Sequence, residues 1–221
     1  MHIHLPKPLH GWRALVGEVG IIVLGVLIAL AAEAVVEHLQ WEHKVSVVRK
    51  SIMGELGNDR ARWDVDVAAA HCADTDIDKL DAWASAGAPG PNPVVRNIST
   101  FHFFWMHSAN WNLATGSQSL DHFPIEDQLA FAALYDGIAH RQHDLELTQS
   151  MVGRVQTLVP LATDAQGQRD LRQALGDLKF RMHVLTANDD YMKRHFDALH
   201  VQPNTSDFAA DLAVAHCVAD G

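Results

Sequence analysis

The chain has 221 residues, 48% hydrophobic and 20% charged, which is a folding composition long enough for one helical domain plus a short extra segment. Its formal net charge of −10 excludes the usual kind of nucleic-acid interface, because phosphates need a basic face. Two cysteines exclude a disulfide-dense scaffold and allow a single bridge.

The first element is apolar. Val19 to Ala32 runs without a polar residue, and Glu18 and Glu33 stand at its ends. Taken alone, a run of this length also suits a secretion signal or a buried helix. Lys7 and Arg13 give a basic start, and "ALA" at 29–31 and "AEA" at 32–34 resemble cleavage sites. Against a cleaved signal, no Pro or Gly breaks the helix before those sites. Extended through its glutamates, Leu15 to Val36 measures about 32 Å as a helix, close to the ~30 Å hydrocarbon thickness of a bilayer. Trp12 and Trp41 then lie about 43 Å apart, the separation of the two headgroup zones that tryptophan favours. The expected division is residues 1–14 as a tail, 15–36 as a transmembrane helix and 37–221 as a helical bundle. Glu18, Ile22, Gly25, Ala29 and Glu33 fall on one helix face. Gly25 and Ala29 make a small-xxx-small pair, so this face is expected to pack on another transmembrane helix, from a second copy or a membrane-protein partner.

Beyond the span, Val45, Val48, Ile52, Leu56, Trp63 and Val67 continue an apolar stripe at helical period. A second helix is expected to begin at Thr75 and to carry Ile77, Leu80 and Trp83. "GAPGPNP" at 87–93 reads as a loop, and an aromatic-rich helix is expected from about Thr100 to Thr115. Pro124 opens a long helix that should reach Val159, before Pro160. Thr163 and Gln166 read as the capping box of the last long helix. That helix carries Leu171, Leu175, Leu178, Met182, Leu185, Met192, Phe196 and Leu199. The short connection between these two helices requires an antiparallel hairpin. A short helix near Asp207 to Cys217 closes an all-α, up-and-down bundle.

Chemistry-bearing motifs are sparse. No HExxH, CxxC, GxSxG or phosphate-binding glycine loop occurs, so no enzyme activity and no cofactor are expected. Ser117, Ser119, Asp121 and His122 make an ordinary turn. His140 and His143 have a usable metal spacing but lie in a polar helix face. His71–Cys72 and His216–Cys217 are awkward as shared ligands. Phe101, Phe103, Phe104, Trp105 and Trp111 line either a pocket or a core, and core packing is the plainer reading. Asp189 interrupts the last apolar stripe at the level of Leu134 and Tyr135, so a Tyr135–Asp189 hydrogen bond is expected.

The stretch "GEVGIIVLGVLIALAAEAVVEHLQW" resembles the opening of an uncharacterised family of short bacterial single-pass membrane proteins. The family has a basic tail, a block close to "IVLGVLIAL", a Glu soon after, and a helical domain. "WNLATGSQSLDHFPIEDQLAFAALYDGI" is loosely similar to its middle region. The resemblance implies an inner-membrane protein and no activity. Lys7, Arg13 and the terminal amine balance Lys44, Arg49 and Lys50, so basic residues alone leave orientation open. The family pattern favours a cytoplasmic N-terminus and a periplasmic domain. Cys72 and Cys217 sit in matching contexts, "AAAHCAD" and "AVAHCVAD", and outside the cytoplasm a disulfide between them is expected. The expected function is non-enzymatic: a membrane-anchored bundle for protein interaction or assembly. The alternative is a small-molecule or metal sensor module acting through a partner subunit.

Overall fold

The computed structural model describes residues 11–93, 98 and 105–206. Among these every regular element is helical and no strand occurs, as the all-α expectation requires. The α-helices are α1 (Gly11–Ser85), α2 (Ala109–Thr115), α3 (Ile125–Leu158), α4 (Ala165–Ala187) and α5 (Asp189–Ala198). Turns of 3-10 helix lie at Leu120–His122 and Val159–Leu161. The chain divides into two compact units, Met1–Val47 and Val48–Gly221.

In the first unit α1 holds one segment that is long and apolar enough to cross a membrane, with none of its most apolar stretch buried. Ile22, Leu24, Leu30 and Val35 are all more than half exposed. At the C-terminal end the Lys44 ammonium sits 4.3 Å from the Trp41 ring centre.

The second unit is built on alternating steps of four and three residues, the 3.5-residue period that keeps one helix face against its neighbours. On α1 the buried series is Ile52, Leu56, Asp59, Trp63, Asp66, Ala70, Ala73, Ile77, Leu80 and Ala84. On α3 it is Leu134, Ile138, Arg141, Leu145, Thr148, Val152 and Val155. Leu171, Leu175, Leu178, Met182 and Leu185 of α4 complete a core in which α1, α3 and α4 meet. Cross-helix pairs set the directions. Arg154 meets Asp177 and Arg181 meets Asp144, so α3 and α4 are antiparallel. Arg49 meets Asp127 and Tyr135 meets Glu55, so α1 and α3 run the same way.

Four boundaries differ from the sequence expectation. The helix expected to start at Thr75 is the uninterrupted continuation of α1, whose buried stripe runs straight through Ala73, Ile77 and Leu80. Asp76 accepts from Ile98 N–H, and α1 ends in a Schellman turn closed by Ala88 N–H on Trp83 O, with Gly87 at φ 86°. Residues 105–108 are not helical, so α2 starts at Ala109 rather than near Thr100. The N-cap of α4 is Asp164, not Thr163: its carboxylate accepts from Gln166 N–H at 3.0 Å and Gly167 N–H at 2.8 Å. The Leu161 carbonyl lies so close over Gly167 that a side chain there would strike it. Finally, the last long helix breaks at Asn188 into α4 and α5. Asn and Asp compete for backbone hydrogen bonds, and "NDD" at 188–190 places two acids in the first turn of α5, where the helix dipole favours them. The helix expected near Asp207 to Cys217 lies outside the described residues.

Candidate functional site

The buried face of the bundle carries charges where its period calls for apolar side chains. Asp59 and Asp66 on α1 are fully buried, and Arg141 on α3 is 3% exposed. Asp189 stands at the corresponding step of the α4–α5 series. These positions gather around Trp63. The Arg141 guanidinium lies 4.4 Å from the Trp63 ring centre. The Trp63 indole N–H donates to Asp189 Oδ1 at 3.0 Å, and Lys193 donates to Asp189 Oδ2 at 2.7 Å. Arg141 Nη1 donates to the Leu185 carbonyl, in the last turn of α4. A cation on those last carbonyls suits the helix dipole and holds the break at Asn188. Burial pulls the Arg141 pKa down, against the opposing pull of Asp66, Asp189 and Asp144.

A second buried polar group lies toward the start of this unit. Glu55 accepts from the Tyr135 hydroxyl at 2.7 Å and from Asn110 N–H at 2.9 Å. Asp59 Oδ1 accepts from Arg62 at 2.9 Å and from His107 N–H at 3.0 Å. These carboxylates tie residues 107–110 to α1. Burial pushes the Asp59 pKa up to about 6, offset in part by the His107 and Arg62 hydrogen bonds. Burial and the bond to Glu55 also raise the Tyr135 phenol, which stays protonated.

Sequence-expected residues are placed as follows. Tyr135 and Asp189 do not bond to each other: α1 supplies a partner to each, Glu55 to one and Trp63 to the other. Trp111 stacks on Tyr135 at 5.1 Å and also meets Phe131, which makes it a packing residue. Trp105 is 58% exposed and lies outside any helix. Phe101, Phe103 and Phe104 lie outside the described residues. His140 is exposed beside Asp136. Among the described residues no group of three His, Cys, Asp or Glu side chains is placed to hold a metal. Cys72 is buried and is not a free thiol, while Cys217 lies outside the described residues. Along the apolar segment, Glu18, Ile22, Gly25, Ala29 and Glu33 are exposed on a continuous helix, and Gly25 has open space where a side chain would stand.

Sequence reasoning missed Glu55, Asp59, Asp66 and Arg141. The signal was present for three of them. Asp59, Asp66 and Arg141 each occupy a step of the four-three series, flanked on both sides by apolar steps. The Arg141 side chain also lines a cleft of about 260 Å³ with Trp63, Asp136, Gly137, His140, Asp144, Val184, Asn188, Tyr191 and Met192. No protein-family model matches the chain, and neither curated proteins nor solved structures provide a match.

Proposed function

We propose that this is a non-enzymatic, single-pass protein of the bacterial inner membrane whose helical bundle serves protein interaction or assembly. Residues 15–36 span the bilayer, the N-terminus is cytoplasmic and the bundle is periplasmic. The carrying observation is the exposure of the apolar segment. A helix with Ile22, Leu24, Leu30 and Val35 all more than half open has no core of its own to enter, and a bilayer supplies the matching solvent. Trp12 and Trp41 sit where its two headgroup layers fall.

In this reading Glu18, Ile22, Gly25, Ala29 and Glu33 form the contact face for another transmembrane helix, from a second copy or a partner. Close approach at Gly25 and Ala29 gives van der Waals packing, the main attraction between helices in lipid. The glutamates at its margins turn to a protein neighbour or to the headgroups rather than to hydrocarbon. Gly25→Leu is expected to weaken association in a membrane two-hybrid assay, and Leu24→Ala, on another face, to leave it intact. Equal signals from the two variants would remove the packing face from the account. Cys72 pairs with Cys217 in the oxidising compartment.

A second reading is a small-molecule sensor that signals through a partner subunit. The Arg141 cleft favours it, because a buried cation lining an open cleft is a feature of binding sites.

A further inference from the structure

In the second unit α1 is buried on two sides. One is the stripe that meets α3 and α4 in the core. The other is Gly57, Ala61, Val65, Ala68, Cys72 and Asp76, at steps of four, four, three, four and four, each buried or half-buried. At about 100° per residue it lies roughly 150° around the helix from the first. Ala61 is 1% exposed, and Val65 and Cys72 are each 4% exposed, yet none of the three belongs to the core shared with α3 and α4. The bonds to Tyr135 of α3, Lys179 of α4 and Asp189 of α5 leave α1 from other sides, at Glu55, Asp78 and Trp63.

The path of the chain points to what covers the second stripe. α5 runs against α1, with Asp189 at Trp63, Lys193 near Asp64 and Asp197 at Arg60. Beyond it, residues 201–204 are fastened to α1 at the N-terminal end of the stripe. Val201 O accepts from Arg60, Asn204 N–H donates to Gly57 O at 2.9 Å, and Asn204 Nδ2 donates to Asn58 Oδ1 at 2.8 Å. Gln202 O lies so close over Gly57 that a side chain there would strike it. Toward the other end of the stripe, Cys72 is not a free thiol, and Cys217 is the one other cysteine of the chain. From Asn58 to Cys72 α1 rises about 21 Å. The chain from Asn204 to Cys217 must cover that rise at about 1.6 Å per residue, close to the ~1.5 Å of a helix and about half the ~3.3 Å of an extended strand. In a helix Ala210, Ala213, Val214 and Cys217 share a face. Small side chains there and at Gly57, Ala61 and Ala68 allow the approach a disulfide demands, with Cα atoms about 4.4–6.8 Å apart.

We propose that residues 207–217 form a helix docked on the second stripe of α1 and parallel to it, with Ala213 beside Ala68 and Cys217 beside Cys72. This docking rests on the Cys72–Cys217 pairing of the proposed function. A face filled in this way is closed to an external partner. The rival occupant is residues 94–104, on the path between Ile98 at Asp76 and His107 at Asp59.

The test uses the full chain in mild detergent, in a Cys72→Ser, Cys217→Ser background, so that the native bond plays no part. Under a mild oxidant, Ala68→Cys with Ala213→Cys is expected to cross-link at least about tenfold faster than Ala68→Cys with Ala215→Cys, whose second position falls on the far side of the helix. Each change replaces an alanine by a side chain only slightly larger. The oxidised wild-type chain is also expected to exchange its amides slowly over residues 211–217, because so short a helix is not stable in water without packing. Equal rates for the two pairs, no cross-link from either, or fast exchange across 211–217 would overturn the docking, even where the native bond is found. Faster cross-linking of Ala68→Cys with Phe103→Cys would assign the stripe to the rival and overturn it too. Two free thiols in the wild-type chain, with the engineered pair cross-linked, would refute the pairing and keep the docked helix.

Discussion

Asp59 holds a carboxylate at a core step of α1, with Oδ1 bonded to Arg62 and His107 N–H and Oδ2 without a hydrogen-bond partner among the described residues. Its folded pKa of about 6 exceeds the ordinary 3.8, chiefly through burial. The folded state therefore holds a proton more tightly than the unfolded state between those pH values. This group favours folding at low pH, and that contribution is lost as pH rises from about 4 to about 6. The size of the rise corresponds to about 3 kcal/mol. Asp59→Asn removes the titration. Wild-type stability relative to that variant is expected to fall by about 3 kcal/mol between pH 3 and pH 7, read from urea midpoints of the two proteins. A difference that stays constant with pH would refute the buried-charge account. Asp59 also shows why part of the site was not legible. Reading a stripe from its apolar residues alone passes over a charged core step that lies between two of them. Asp189 was noticed because the last long helix was followed at every four-three step, whereas on α1 Leu56 and Trp63 were joined across seven residues. Its partner was misjudged because the register of α3 against α4 says nothing of α1, which brings Trp63 to Asp189 and Glu55 to Tyr135.

At the scale of elements, the period of the sequence located the long helices of the bundle and the antiparallel hairpin. The ends were decided by single side chains. Asp164 rather than Thr163 caps α4, because its carboxylate reaches two free N–H groups in the first turn. The break at Asn188 follows from "NDD" together with Arg141 at Leu185 O, and only the first half of that cause is local in sequence. The end of α5 is held by a Schellman turn, with Val201 N–H on Phe196 O and His200 N–H on Asp197 O, both at 2.9 Å. His200 takes φ 56°, a region that strains any residue with a Cβ. His200→Gly is therefore expected to stabilise the fold by about 1 kcal/mol, seen as a higher urea midpoint at unchanged slope. An unchanged or lower midpoint would show that the histidine ring makes compensating contacts.

For the molecule as a whole, the segment long and apolar enough to cross a membrane was legible because its signal is length and composition, which need no register. The proposed Cys72–Cys217 bridge would close a loop of about 145 residues and contribute about 2–4 kcal/mol. Non-reducing mass spectrometry of membrane-extracted protein is expected to find the cross-linked peptide pair, and two free thiols on material from the periplasmic side would refute it. The anchoring account itself is tested most directly by topology. A phosphatase active only in the periplasm, fused after Gly221, is expected to be active, and a fluorophore that matures only in the cytoplasm is expected to stay dark at the same point, with the N-terminal segment retained on the mature chain. A bright fluorophore with an inactive phosphatase, or a mature chain beginning near Ala32 or Glu33, would contradict it.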